Sequence, residues 1–367
     1  MVDCSYRGCW QSNASVKMLI LCAPMETRKL GFTAPHFFYK FQSDRLIRKT
    51  EDRNFNDEKS KTQWWYFDAM LADGSVLIFM FTPVQWWSEN SSDLPNQALT
   101  CVSFLSADGN VVTTKEGFDA NDVRYSEDGI ECKAFTIERK HGTNNRHYTI
   151  ELNLPRAKGT IVIDSSTKAF SPFPGGVVNT FVSKHLLKLK GEKPLFRYAA
   201  HVPHGEAKCD LQIDDQLVRQ AGKVYHEQGM FRGLPEYLGK GWAWIHFVSN
   251  TFNIFGKPQD FVCLEKNGKK IISGTTFFDR GVVLSDVVYD TEEKNLIVSG
   301  ALSFRSGKLE FTVTPTATGI PMIVIPSTGT AQLWGTAAQR SAIRYKQDGV
   351  AVEEQGWLLI ETCKMGG

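Results

Sequence analysis

The sequence contains no long apolar run: no stretch approaches the roughly 20 residues that a membrane-crossing helix needs, so no membrane partner is expected. It also lacks an excess of either charge. Lys and Arg number 42 against 40 Asp and Glu, and the formal charge of +2 leaves little to attract a polyanion. Nucleic acid is therefore not an expected partner. Cys4, Cys9, Cys22, Cys101, Cys132, Cys209, Cys263 and Cys363 are scattered, with no CxxC and no zinc-like spacing. They read as free thiols of a reducing compartment. The early run "MLILCAP" holds about six apolar residues where a secretory signal needs roughly 7–15, which places the chain in the cytoplasm as an expectation. No GxGxxG, Walker loop, GxSxG elbow or HExxH occurs, so neither cofactor nor metal is expected. His201 and His204 in "HVPHGE" have no nearby acidic or cysteine partner and read as solvated loop histidines.

Helix-period segments are scarce too. The best, Val177 to Lys190 ("VVNTFVSKHLLKLK"), reads as a short helix or a strand. What the chain does have is aromatic surface: 24 Phe, 10 Tyr and 9 Trp, suited to thick β cores and to cavities for apolar ligands. Short β-branched and aromatic runs alternate with turn residues, as in "QWWYFDAMLADGSVLIFMFTP", "FLSADGNVVTT" and "FVCLEKNGKKIISGTTFF". The predicted fold is all-β: two antiparallel barrels or sandwiches. Residues 1–31 read as a tail, 32–231 as the first β domain and 232–367 as the second, joined at the glycine-rich loop "GMFRGLPEYLGKG". A cleft between two such units is a natural ligand site.

Three stretches carry the candidate chemistry. In "GKVYHEQGMF", period-two alternation puts Tyr225 and Glu227 on one face and His226 on the other, so the three share a pocket only if a bulge at Gly229 turns the strand. A carboxylate among aromatics has a raised pKa when buried, which suits a proton donor. In "GWAWIHF", Trp242 and Trp244 share a face and form a wall. In "QWWYFDA", Trp64, Tyr66 and Asp68 share one face and Trp65 and Phe67 the other, and a buried Asp68 requires a partner. Gln228, Phe231 and Trp334 are further candidates for substrate contact, while Trp357 reads as core.

These stretches in order, with "HVPHGEAKCDLQIDDQLVRQAGKVYHEQGMF" between the outer two, resemble the signature of the lipocalin-like superfamily that contains carotenoid hydratases, kievitone hydratase and fungal Diels–Alderases. The resemblance spans Gln63 to Phe247 and implies two lipocalin-like domains. The hydratase-type segment reads Tyr-His-Asp-His then Asn-Trp-Gly; this chain has Tyr225, His226, Glu227 and Gln228, then Gly229, Met230 and Phe231. Replacement of Asp by Glu and loss of the second histidine favour the Diels–Alderase branch. The resemblance thus implies a cofactor-independent pericyclase that closes a ring on an apolar polyene, polyketide or terpenoid intermediate, with Tyr225, His226 and Glu227 as catalytic candidates. A hydratase using Glu227 and Tyr225 as acid and base, and a carrier of apolar ligands without chemistry, stay open as alternatives.

Overall fold

The computed structural model describes residues 62–84, 97–126, 128–141, 146–169, 196–231, 241–257, 261–275, 283–284, 287–290, 295–298, 302–306, 309–317, 319–328, 331–347 and 349–365. The expected tail, the segment from Val177 to Lys190 and most of the connecting loop after Phe231 lie outside these residues. So do the side chains of Phe231, Trp242 and Trp334.

The described residues are nearly all strand. The earlier part of the chain forms β1 (Thr62–Leu71), β2 (Val76–Val84), β3 (Gln97–Leu105), β4 (Val111–Asp119), β5 (Arg124–Tyr125), β6 (Gly129–Glu131), β7 (Phe135–His141), β8 (Arg146–Leu154), β9 (Ala157–Ser165), β10 (Phe196–Ile213) and β11 (Gln216–Phe231). The later part forms β12 (Gly241–Ser249), β13 (Phe252–Lys257), β14 (Phe261–Lys266), β15 (Lys269–Thr275), β16 (Val283–Leu284), β17 (Val287–Asp290), β18 (Asn295–Val298), β19 (Leu302–Ser306), β20 (Leu309–Pro315), β21 (Ile320–Thr328), β22 (Ala331–Gln347) and β23 (Val350–Met365). Among the described residues no helix is long and apolar enough to cross a membrane.

The first eleven strands form one curled antiparallel sheet in the order β4-β3-β2-β1-β11-β10-β9-β8-β7-β6-β5. The second sheet runs β15-β14-β13-β12-β23-β22-β20-β19-β16, with β21 also on β22 and β17 paired with β18 apart. In both sheets the first and last strands lie side by side: β1 on β11, and β12 on β23.

Turn chemistry fixes the hairpins. The "ADG" turn between β1 and β2 has Gly74 at φ +84°, and the "NG" between β14 and β15 has Asn267 at +51° and Gly268 at +70°. In the second of these turns, positive φ at both central residues matches the twist of the flanking strands. The pleat then sorts the side chains. Trp65, Phe67, Phe79, Phe81, Phe135 and Tyr148 fill the inside of the first sheet. Ile245, Phe247, Phe252, Ile254 and Leu358 form the separate core of the second.

A third cluster joins the two sheets: Tyr66, Ile78, Met80, Cys101, Tyr198 and Tyr225 pack against Trp244, Phe255, Cys263, Met322, Ile323, Trp357 and Leu359. Hydrogen bonds pin this seam. Ser103 Oγ and Thr113 Oγ1 both donate to the Met322 carbonyl, at 2.9 and 2.8 Å. Arg340 lies 3.9 Å above the Trp357 ring, and a Cβ on Gly74 would sit 2.8 Å from its guanidinium. Glycine in this turn thus serves both the positive φ and the approach of Arg340.

The "HVPH" histidines require a correction. They do not sit in a solvated loop: β10 runs unbroken through them, and His201 is 1% exposed. Pro203 suggests a loop because proline donates no hydrogen bond to a ladder. The strand accommodates it with two register shifts, one just before it at Ala200/Val202 and one across it at Val202/Gly205.

Candidate functional site

The seam carries a polar network inside its aromatic cluster. Side-chain alternation on β1 and β11 builds the first half of it. Tyr66 lies opposite Glu227, Asp68 opposite Tyr225 and Trp64 opposite Gly229, in unbroken register. Gly229 therefore introduces no bulge. Its role is clearance: a Cβ there would lie 2.1 Å from Trp64 Cζ2, so only glycine lets the indole lie flat across β11. From that position Trp64 Nε1 donates to Glu227 Oε1 at 2.9 Å. Tyr225 donates its hydroxyl to Glu227 Oε2 at 2.6 Å, and the Tyr198 and Tyr225 hydroxyls are themselves hydrogen-bonded.

Burial governs the electrostatics. Glu227 is 6% exposed, and its carboxyl is pushed up to about 7, first by desolvation and also by the charge of Glu361. The bonds from Tyr225, Trp64 and Tyr198 hold it from rising further. The Tyr225 and Tyr198 hydroxyls are raised well above the usual phenol range, by burial first and then by the Glu227 charge. Tyr66 is raised likewise, by burial and then by Asp68, Glu361 and Glu227. Near neutral pH this is a carboxyl group shared between its acid and its anion, faced by phenols that stay protonated.

The second half of the network crosses the seam. Asp68, 1% exposed, meets His246 Nδ1 at 2.7 Å. His246 Nε2 lies 2.8 Å from Asn253 Oδ1, and Asn253 Nδ2 donates to the Pro203 carbonyl at 2.6 Å and to Glu265 Oε2 at 3.1 Å. The Tyr225 ring lies 4.8 Å from His246 and 5.0 Å from Phe255, and Trp244 packs 5.3 Å from Tyr198. Trp64 keeps partial exposure at the edge of the cluster.

The structure thus brings Trp64, Tyr66, Asp68, Tyr225, Glu227 and Trp244 together and sets two candidates apart. His226 points to the other face of β11, into the first sheet's core. It stacks on Phe67 at 3.8 Å and 4°, and its Nδ1 donates to the Tyr66 carbonyl at 3.1 Å. Gln228 shares that inner face, with Oε1 3.1 Å from His201 Nε2. Sequence reasoning missed Tyr198, His246, Asn253 and Glu265. His246 had a signal, since it stands two residues beyond Trp244 and so on the same face. Among the described residues no group of three or more His, Cys, Asp or Glu side chains is placed to hold a metal ion.

No protein-family model and no curated protein sequence matches the chain. Solved structures do share its fold. An AttH-like protein of Nitrosomonas europaea aligns with a TM-score of 0.54 at 12% identity, over 84% of this chain and 96% of its own. CghA, solved with Sch210972, aligns at 0.55 and 13% identity, over 83% of this chain and 88% of its own. Kievitone hydratase from Nectria haematococca aligns more weakly, at 0.45 and 11%, over 83% and 89%. At such identities the first two establish a common two-sheet, all-β architecture.

Proposed function

We propose that the chain is a cofactor-independent cyclase of the Diels–Alderase type, closing a ring on a polyene, polyketide or terpenoid intermediate at the seam between its sheets. The observation that carries this reading is Glu227: a carboxyl poised near neutrality and held by Trp64 and Tyr225 within the aromatic-rich cluster of the seam. A [4+2] closure turns three π bonds into two new σ bonds and one new π bond and gains or loses no atom. It asks the protein for shape and for polarisation of the carbonyl that activates the dienophile. Confinement of a flexible chain in a reactive shape is worth up to roughly 7–11 kcal/mol in well-oriented cases. Protonated Glu227 donates a hydrogen bond to that carbonyl in a water-poor setting where the bond counts most. Tyr66, Tyr198 and Trp244 supply the flat walls. CghA, which shares the fold, was solved with Sch210972.

One contact favours a second reading. The Tyr225 hydroxyl on Glu227 Oε2, itself bonded to Tyr198, makes an acid with a relay behind it, the arrangement that a hydratase or dehydratase needs. Incubation of the wild type and Glu227→Gln with a linear polyene bearing an activated dienophile separates the two. Gln still donates a hydrogen bond, so cycloaddition should slow only about tenfold, the equivalent of one weakened bond, and Trp244→Ala should slow it more. A loss of several orders of magnitude in Glu227→Gln would establish proton transfer instead. Tight binding with the polyene returned unchanged would establish a carrier.

A further inference from the structure

Asn253 fixes the protonation of His246. Its amide nitrogen faces the Pro203 carbonyl, which can only accept, at 2.6 Å, and Glu265 Oε2 at 3.1 Å. Its oxygen therefore faces His246 Nε2 at 2.8 Å, and that nitrogen must carry a hydrogen. On the other side of the ring, Nδ1 meets Asp68 Oδ1 at 2.7 Å, with both side chains almost fully buried. Two lone pairs cannot face each other at that distance, so a second proton lies between them. Resting on Asp68, it would leave both groups neutral; resting on Nδ1, it gives the ring two N–H groups and makes the pair a zwitterion without net charge.

The surroundings favour that form. Asp68 meets His246 from β1, the Tyr225 ring from β11 and Asn253 from β13, while Glu227 on β11 acts through its charge and Glu265 on β14 binds Asn253. His204 on β10 is pushed down to about 4, by burial first and by Lys223 and His246, so it stays neutral beside the pair. Burial alone would push His246 down, but the charge and bond of Asp68, the bond to Asn253 and the charge of Glu227 together raise it. Tyr225 stands between the two halves of the network, its ring 4.8 Å from His246 and its hydroxyl 2.6 Å from Glu227.

We propose that Asp68 and His246 form a proton-loaded pair, locked by Asn253, that positions Tyr225 and sets the charge environment of Glu227, and that it forms only when the two sheets are docked. The positioning role rests on the acid reading of Glu227; the protonation of the pair does not.

Side-chain ¹⁵N NMR of the full chain tests it. The expected spectrum at pH 7 contains the signal of a histidine with both nitrogens protonated, and this signal is absent in His246→Gln. In Asp68→Asn the new amide should donate to Nδ1, leaving His246 neutral with its hydrogen on Nε2 at pH 7. In His246→Gln the positive charge is gone while Asp68 remains, so the ¹³C titration midpoint of Glu227 should move upward. If His246→Gln does not fold, the change in Asp68→Asn identifies the residue. A bare nitrogen on wild-type His246 at pH 7, or an unmoved Glu227 midpoint in His246→Gln, would overturn the proposal. These failures are separable from failure of the cyclase reading, because neither measurement uses a substrate.

Discussion

The two faces of β1 and β11 are built from alternate residues of the same two strands, yet they do opposite work. Inward, Trp65, Phe67 and His226 make a core in which the imidazole is stacked and its Nδ1 is bonded to backbone. Outward, Tyr66, Asp68, Tyr225 and Glu227 hold ionisable groups whose charges depend on one another and on the opposite sheet. The contrast teaches that burial by itself does not define a site. Both faces are buried; only one leaves a carboxyl near its titration point.

The largest effect should come from the inner face. Phe67→Ala removes an aromatic that touches Phe79, Tyr148 and His226, and should cost about 3–5 kcal/mol in chemical denaturation, at every pH.

The outer face should answer to pH instead. Because the Glu227 carboxyl is raised in the fold, the protonated folded form is favoured at low pH and that advantage is lost as pH climbs from about 4.5 to about 7. The full loss amounts to about 3 kcal/mol. Glu227→Gln escapes it but deprives Trp64 or Tyr225 of an acceptor, worth about 1 kcal/mol. The variant should therefore be slightly less stable than wild type at pH 4.5 and about 2 kcal/mol more stable at pH 8. A stability gap that does not change with pH would erase the distinction between the faces.

Gly229→Ala sharpens the comparison further. The added methyl displaces Trp64, so Glu227 loses a donor and its ¹³C midpoint should rise by about one unit, with a change in indole fluorescence. The smallest effect belongs to His226→Phe. It keeps the stack on Phe67 and loses the bond to the Tyr66 carbonyl, so it should cost about 1 kcal/mol while the Glu227 midpoint stays where it is.

Much of this contrast was legible beforehand because it depends on a period of two. "QWWYFDA" and "KVYHEQ" already assign Trp64, Tyr66 and Asp68 to one side and Trp65, Phe67 and His226 to their other sides. The requirement that a buried Asp68 find a partner was legible too; the partner's identity was not. His246 is 178 positions along the chain from Asp68, and Trp64 is 163 from Glu227. No local pattern encodes which sheet will dock on which. The "HVPH" stretch misled for a related reason: a proline inside a central strand is permitted only by register shifts that neighbouring strands impose. Tyr198 gave no signal of its own, since its hydroxyl matters through its bonds to Tyr225 and Glu227.

The pairing of β1 with β11 and of β12 with β23 bears on how the protein comes into being. Each sheet joins its opening strand to its closing one, so a nascent chain must wait for Phe231 before the first sheet can be stitched, and for nearly the last residue before the second can. During that interval Tyr66, Ile78, Met80 and Tyr225 have nothing to rest against. Pairings so distant along the chain form slowly and leave greasy surface bare for longer. Translation halted after β11 should thus release a sticky fragment, one that a holding chaperone would recognise by the very face that later becomes the seam.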